Sequence, residues 1–220
     1  MERFPEQHQL MDDYEQAKAY AESDFTEPHN AFVVRFKERF PEFADGLVLD
    51  IGCGNADPTI RFAKALPNTQ IIGLDGSEAM LKFARESVIR EDLTERIQLN
   101  QGLIGEDTFP DSSFDAVICN SLLHHLDKPE VLWDSIKSFA KPSAPVFVMD
   151  LTRPPSTLRA MELVREHAEG APEQMRKDFF NSLLAAYRPE EVRTQLDNAG
   201  LSQLRVEVVS DRHMVIFGSI

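Results

Sequence analysis

Apolar positions recur along this chain in two rhythms, and their alternation predicts its elements. Continuous or alternating apolar runs of strand length fall at residues 47–51, 70–75, 96–101, 114–120, 144–151, 204–209 and 214–217. Between them the spacing becomes helical. Phe32, Val33, Phe36 and Phe40 share one face, as do Ala79, Met80, Phe83 and Ala84, and then Val131, Leu132, Ile136 and Phe139. Helices are predicted over 10–21, up to Pro41, over 58–66, from Ser77 onward, over 129–140, and from Pro189 to Gly200. Strand–helix alternation of this kind predicts an α/β fold around a largely parallel sheet. The last two strands, joined by Ser210-Asp211-Arg212-His213, read as an antiparallel pair.

Two stretches break the alternation. Residues 1–46 precede the first strand and read as an N-terminal helical cover or lid. Residues 152–188 carry Pro154-Pro155, a helix through Leu158, Met161, Leu163 and Val164, a break at Gly170, and a second helix ending near Tyr187. They read as an insertion within a domain spanning 47–220, on the side where loops set specificity.

Composition narrows the picture. The chain has 220 residues, 42% hydrophobic and 27% charged, with a net charge of −14. That balance fits a globular protein and weighs against nucleic acid, whose phosphates need clustered Lys and Arg. No apolar run approaches the ~20 residues of a membrane span. The polar, acidic start MERFPEQHQLMDD matches neither a signal nor a transit peptide, so a cytoplasmic protein with no membrane partner is expected. Cys53 and Cys119 form no C-x-x-C pair and read as small buried residues in a reducing compartment, or remotely as a redox pair. No metal site is expected, and the oligomeric state is not legible.

The chemistry concentrates in the turn after the first strand. Leu47 to Ile51 lead into Gly52 and Gly54, and Asp57-Pro58 opens a helix, with Asp57 expected as N-cap. Glycines at such a turn let backbone approach a ligand closely. A dinucleotide fingerprint wants a third glycine at the sixth position. That position is Asp57, whose charge opposes a pyrophosphate, so an NAD-binding dehydrogenase is disfavoured. Asp75 ends the second strand about 20 residues past the turn, the spacing at which an acid meets ribose hydroxyls.

The pattern Asp50-Ile51-Gly52-Cys53-Gly54 resembles motif I of the class I S-adenosylmethionine (SAM) methyltransferases, many of which carry a third glycine where Ala56 stands. Asn120 and Ser121-Leu122-Leu123-His124-His125-Leu126 resemble the fourth motif of the ubiquinone- and menaquinone-biosynthesis-like members. The resemblance implies a Rossmann-like fold with a seven-stranded, mostly parallel sheet and an antiparallel C-terminal strand. It implies SAM as cofactor and methyl transfer to a small-molecule acceptor, neutral or cationic given the acidic chain. It also implies roles: Asp50, Gly52, Cys53, Gly54, Asn120 and Ser121 around the methionine half, and Asp75 with Gly76 at the ribose. Met80, Leu103 and Ile104 would lie near the adenine. Members often place an acid after the third strand. Here Gly102-Leu103-Ile104-Gly105 stands there, with Glu106 or Asp107 as displaced candidates.

His124, His125 and Asp150 are the catalytic candidates, because imidazole titrates near neutrality and ligands sit outside the carboxyl ends of parallel strands. Each has a structural alternative: one His caps the loop while the other packs in the core, and Asp150 and Arg153 serve a loop ion pair. Tyr14, Tyr20, Asp24 and Phe25 face the ligand if residues 1–46 form a lid. A SAM-binding regulatory or scaffold protein without transfer activity is the second functional reading.

Overall fold

The computed structural model describes residues 1–6, 10–106 and 109–220. Its seven strands are β1 (Asp45–Ile51), β2 (Asn68–Asp75), β3 (Ile97–Gln101), β4 (Ala116–Asn120), β5 (Pro145–Leu151), β6 (Arg205–Val208) and β7 (His213–Ser219). They form one sheet in the order β3-β2-β1-β4-β5-β7-β6. β7 runs antiparallel to both β5 and β6, and every other pairing is parallel. The expected architecture is present, including the C-terminal antiparallel pair. The order reverses between β1 and β4, and such a switch point opens a crevice at the carboxyl ends of the strands.

Strand alternation divides the core between the two faces of the sheet. Leu49, Ile51 and Val117 point to one side with Trp133 and Ile136 of α5 (Glu130–Phe139) and Val192 and Leu196 of α8 (Pro189–Ala199). Val48, Ile118 and Phe147 point to the other, against α2 (Thr26–Arg39), α3 (Asp57–Ala65) and α4 (Glu78–Arg90). Phe36 of α2 meets Phe62 and Phe147 edge to face, with centroids 4.7 and 5.9 Å apart, and Phe32 meets Phe147 at 5.2 Å. Each fully buried ring contributes about 1.5–3 kcal/mol. Detaching α2 would therefore forfeit much of a domain's stability of roughly 5–15 kcal/mol. So α2 is part of the core. Among the described residues before α2, the crevice is bordered by Phe4, Pro5, Glu6, residues 10–12, and Gln16 and Tyr20 of α1 (Tyr14–Ala21).

Several local expectations shift. The first helix begins at Tyr14, not residue 10, because the Asp13 side chain accepts the Gln16 N–H and fixes the start there. Asp57 is not the N-cap of α3. Ala56 caps it in the left-handed region (φ 63°), and Asp57 sits inside the first turn, where its charge suits the helix dipole. Glycine adopts such a φ without strain, and alanine is the smallest side chain that can replace it. Ser77 caps α4 through Met80 N, and Gly200 ends α8 at φ 72°, as expected. The 152–188 stretch forms α6 (Thr157–His167) and α7 (Glu173–Ala185). They enclose a small core of Leu151, Ala160, Leu163, Leu183 and Ala186.

Candidate functional site

A cavity of about 1560 Å³ opens at the carboxyl ends of β1, β2 and β4. That exceeds the ~300–1,000 Å³ of most small-ligand pockets and leaves room for two molecules. Its two ends are built differently.

The first end is backbone and short side chains from adjacent turns. Gly52 (φ 74°) and Gly54 (φ 54°) shape the β1–α3 turn. Gly52 N and Cys53 N both donate to Leu74 O, at 2.8 and 3.1 Å, which ties the turn to β2. A Cβ on Gly52 would come within 2.9 Å of Leu122, so the cradle closes if that residue gains a side chain. Asp75 lies across the turn. Its carboxylate accepts Gly54 N at 2.8 Å and Ser77 N at 2.8 Å, one on each oxygen. Burial pushes Asp75 above the usual carboxylate range, while those two N–H groups pull it back. Each oxygen retains a lone pair, so a vicinal diol would supply the donors that favour the anion. Gly76, Met80, Leu103 and Ile104 line the wall beyond Asp75, and Asn120 and Ser121 line the floor. Ser121 adopts φ 56°, a left-handed conformation uncommon outside glycine and found at ligand sites. Tyr20 of α1 also lines this cavity, its hydroxyl pushed up to about 12 by burial and by the charges of Asp57 and Asp75.

The second end is assembled from distant side chains. Gln174, Lys177, Asp178 and Asn181 of α7 face it, with Lys128 and His125 opposite. His125 ends a short 3-10 turn, Leu123–His125. Its Nδ1 lies 2.6 Å from Glu6 Oε2, and Ser182 Oγ donates to the other Glu6 oxygen at 2.7 Å. Burial pulls the Glu6 carboxyl upward, but the hydrogen bond and charge of His125 outweigh it and hold it at about 2. Arg3 fastens the same strap. Its guanidinium donates to Ala185 O, His124 O and Leu126 O at 2.6–3.1 Å and lies 4.1 Å from the Tyr187 ring centre.

The sequence candidates divide on this map. Gly52, Cys53, Gly54, Asp75, Gly76, Met80, Leu103, Ile104, Asn120, Ser121, Tyr20 and His125 line one cavity. Asp50 lies beneath it, buried and accepting Thr59 Oγ1 at 2.6 Å; burial pushes its carboxyl up to about 7 against that bond. His124 and Asp150 are brought together, 2.7 Å apart, but in the buried layer behind the wall. Asp150 also accepts Leu123 N and Leu151 N, so its carboxylate ties the 3-10 turn to β5. Burial works against a charged His124, yet Asp150 prevails and raises it. Arg153 is buried and engaged with the partly exposed Glu191 and with Ala186 O, away from the cavity. Tyr14 stacks outward on Phe83 at 5.5 Å, exposed, with Lys82 over its ring. Asp24 caps Thr26, and Phe25 is sandwiched by Tyr20 and His29. Glu106 lines the cavity, whereas Asp107 lies outside the described residues.

Arg3 and Glu6 carried no sequence signal, since their partners are about 120 to 180 residues away. Among the described residues, two groups cluster metal-ligating atoms: Glu6, His124 and His125, and Glu166, His167 and Asp211. The first is occupied by the two imidazole–carboxylate bonds just described. The second is an exposed ion-pair network with Arg159 and Arg212. Cys53 and Cys119 are free and buried, and burial pushes both thiols well above their ordinary range.

Comparison with known proteins gives a consistent result. Residues 48–143 match the methyltransferase domain family. The demethylmenaquinone methyltransferase of Lactiplantibacillus plantarum is 35% identical over 113 residues, 50% of this chain and 47% of its own. The 27-O-demethylrifamycin SV methyltransferase of Amycolatopsis mediterranei is 30% identical over 182 residues, 80% of this chain and 61% of its own. The chain thus spans from about half to three-fifths of the length of these two relatives. A SAM-dependent methyltransferase from Aquifex aeolicus shares the fold, with TM-score 0.68 at 19% identity, covering 94% of this chain and 98% of its own.

Proposed function

We propose that the chain carries a class I SAM-dependent methyltransferase domain and transfers a methyl group from SAM to a small-molecule acceptor. The observation that carries this reading is one cavity holding a glycine cradle and a diol-ready carboxylate at one end, and an imidazole at the other. Bound SAM supplies a methyl group activated on a positively charged sulfur.

The residues present fit that cofactor. Asp75 accepts the ribose hydroxyls, and a charged acceptor makes those bonds stronger than a neutral one. Met80, Leu103 and Ile104 offer apolar surface to the adenine, in place of the acid that related proteins often carry there. The bare turn at Gly52 to Gly54 leaves space for the methionine half, and Asn120 and Ser121 offer it polar partners. Asp50 acts from beneath, holding Thr59 and so the start of α3. His124 and Asp150 brace the 3-10 turn that presents His125. The protein's main contribution is orientation of two reactants in a site closed to water. α1 with residues 1–6 on one side and α7 on the other form the covers of that site.

No helix among the described residues is long and apolar enough to cross a membrane. The strong negative charge and the buried free thiols suit a small-molecule enzyme of the cytoplasm rather than a partner of nucleic acid.

Native mass spectrometry of the purified protein is expected to show SAM or its demethylated product bound. Radiolabelled SAM with a metabolite extract is expected to yield a labelled small product. Binding without any labelled product would point to a SAM-binding regulator, and a co-purifying dinucleotide would overturn the reading.

A further inference from the structure

We propose that Glu6 is a positioning residue that fixes His125 as the general base of this site, and that the methyl acceptor therefore presents a hydroxyl group. The inference rests on the methyl-transfer reading above and narrows its substrate class.

The argument starts from donor and acceptor inventory. An ionised carboxylate only accepts hydrogen bonds. Glu6 Oε2 is 2.6 Å from His125 Nδ1, so that nitrogen carries the proton. In the neutral ring Nε2 then holds the lone pair. Nε2 has no partner among the described residues, and His125 forms part of the cavity wall. Glu6 is itself held from its other oxygen by Ser182 Oγ, at 2.7 Å, and Phe4 N donates to Leu184 O at 3.1 Å. Arg3 anchors the strap to the carbonyls of His124 and Leu126, on either side of His125. Base, orienting carboxylate and a third group on the carboxylate are the parts of an activated acid–base pair.

His124 makes the contrast within the same turn. It has an equivalent Nδ1–carboxylate bond to Asp150, 2.7 Å, but is buried behind the wall. Of the two imidazoles, only the one oriented by the N-terminal strap faces the cavity.

A base of this kind matters most to an acceptor that keeps its proton until attack. An amine loses its proton to solvent beforehand and then attacks through a free lone pair, and a thiol ionises within about two units of neutrality. Alcohols and most phenols hold theirs and need a base during attack. His125 Nε2 takes the hydroxyl proton as the acceptor oxygen bonds to the methyl carbon. The carbon–sulfur bond breaks with its electron pair going to sulfur. The positive charge passes from the sulfonium to the imidazolium, which Glu6 stabilises, and the product is a methyl ether.

Two measurements test this on the full chain. First, ring-15N-histidine protein is examined at pH 8.5 by long-range 1H–15N correlation, with His125 assigned from the signals missing in His125→Gln. Wild type is expected to carry the His125 proton on Nδ1, and Glu6→Ala to shift population toward Nε2–H, the form free imidazole favours. A wild-type ring protonated on Nε2, or a Glu6→Ala ring unchanged from wild type, overturns the role of Glu6. Neither outcome bears on whether SAM binds.

Second, methyl-13C SAM is incubated with a metabolite extract and the product methyl is classified by its carbon shift. An O-methyl product is expected, reduced about 10²–10⁴-fold in His125→Ala and roughly tenfold or more in Glu6→Ala. An N-, S- or C-methyl product, or full O-methylation by His125→Ala, overturns the hydroxyl assignment. No product from wild type overturns the transfer reading and the hydroxyl assignment with it, while the tautomer result stands separately.

Discussion

The two ends of the cavity differ in how the chain makes them. The glycine-turn end is the carboxyl edge of β1 and β2 with their following turns, and its hydrogen bonds join neighbouring strands: Gly52 N to Leu74 O, Gly54 N to Asp75. The α7 end joins residues 3 and 6 to residues 124–126 and 182–187. One end is fixed by backbone conformation inside a buried parallel sheet. The other is held by side chains that a long loop closure must first bring together, and loop-closure entropy opposes that. The first end follows from local sequence, and the second depends on contacts between segments more than 100 residues apart.

That division is most exposed to test at Gly52. Valine there meets a left-handed φ, an outlier for a β-branched residue, and places Cβ 2.9 Å from Leu122. SAM affinity measured by calorimetry is expected to fall on the order of a thousandfold, about 4 kcal/mol. Gly170 supplies the control. It has φ 79°, and a Cβ added there would meet nothing within 4 Å. Gly170→Val is expected to strain the backbone by about 1–2 kcal/mol of stability and leave SAM affinity unchanged. If both variants bind normally, the cradle is not where SAM sits.

Asp75→Ala comes next. Loss of a charged acceptor is expected to weaken SAM binding by about 1.5–3 kcal/mol. The Gly54 and Ser77 N–H groups also lose their partner, so stability is to be measured in parallel. Unchanged affinity in a folded variant would remove Asp75 from the site. Arg3→Ala probes the opposite end. It deletes three carbonyl contacts and the packing on Tyr187, and is expected to cost about 1–3 kcal/mol of stability with SAM affinity within ~0.5 kcal/mol of wild type. A loss of affinity matching Asp75→Ala would show that the two ends are one unit.

Legibility in the sequence follows the same division. Strands, helices and the antiparallel pair could be read because apolar period reports which face is buried. The residues that gather at the glycine-turn end could be named because a strand, two glycines and an acid at fixed spacing are local features. The misplacements have local causes too. Ala56 takes the cap position because the turn needs a left-handed residue before the helix, which pushes Asp57 inside. Tyr14 left the cavity because it opens helix α1 and stacks there on Phe83 of α4. Period alone does not distinguish the two histidines of one turn. Asp150 draws one inward and Glu6 holds the other at the cavity, and both carboxylates are far off in sequence. No spacing rule reaches across 119 residues to pair Glu6 with His125.

A weaker effect is the most specific to the strap, because it reads a single carboxylate. The ordinary glutamate value of 4.5 falls to about 2 for Glu6 in the folded chain, since the bonds from His125 and Ser182 favour the anion more than burial opposes it. A folded value below the unfolded one means that the unfolded chain binds the proton more readily. The stabilisation is therefore fully present above about pH 4.5 and is lost as pH falls toward 2. Glu6→Gln keeps the shape but removes the titration. The stability difference between wild type and this variant, from urea unfolding at pH 2.5 to 7, is expected to hold near about 2 kcal/mol down to pH 4.5 and then shrink. Asp57 also sits at about 2, held down by His29 and Arg61 despite burial, but it is common to both proteins and cancels in the difference. A difference that stays flat to pH 2.5, or that is zero at pH 7, would mean that the Glu6–His125 pair contributes nothing as a charged contact. The strap would then be held by Arg3 and packing alone.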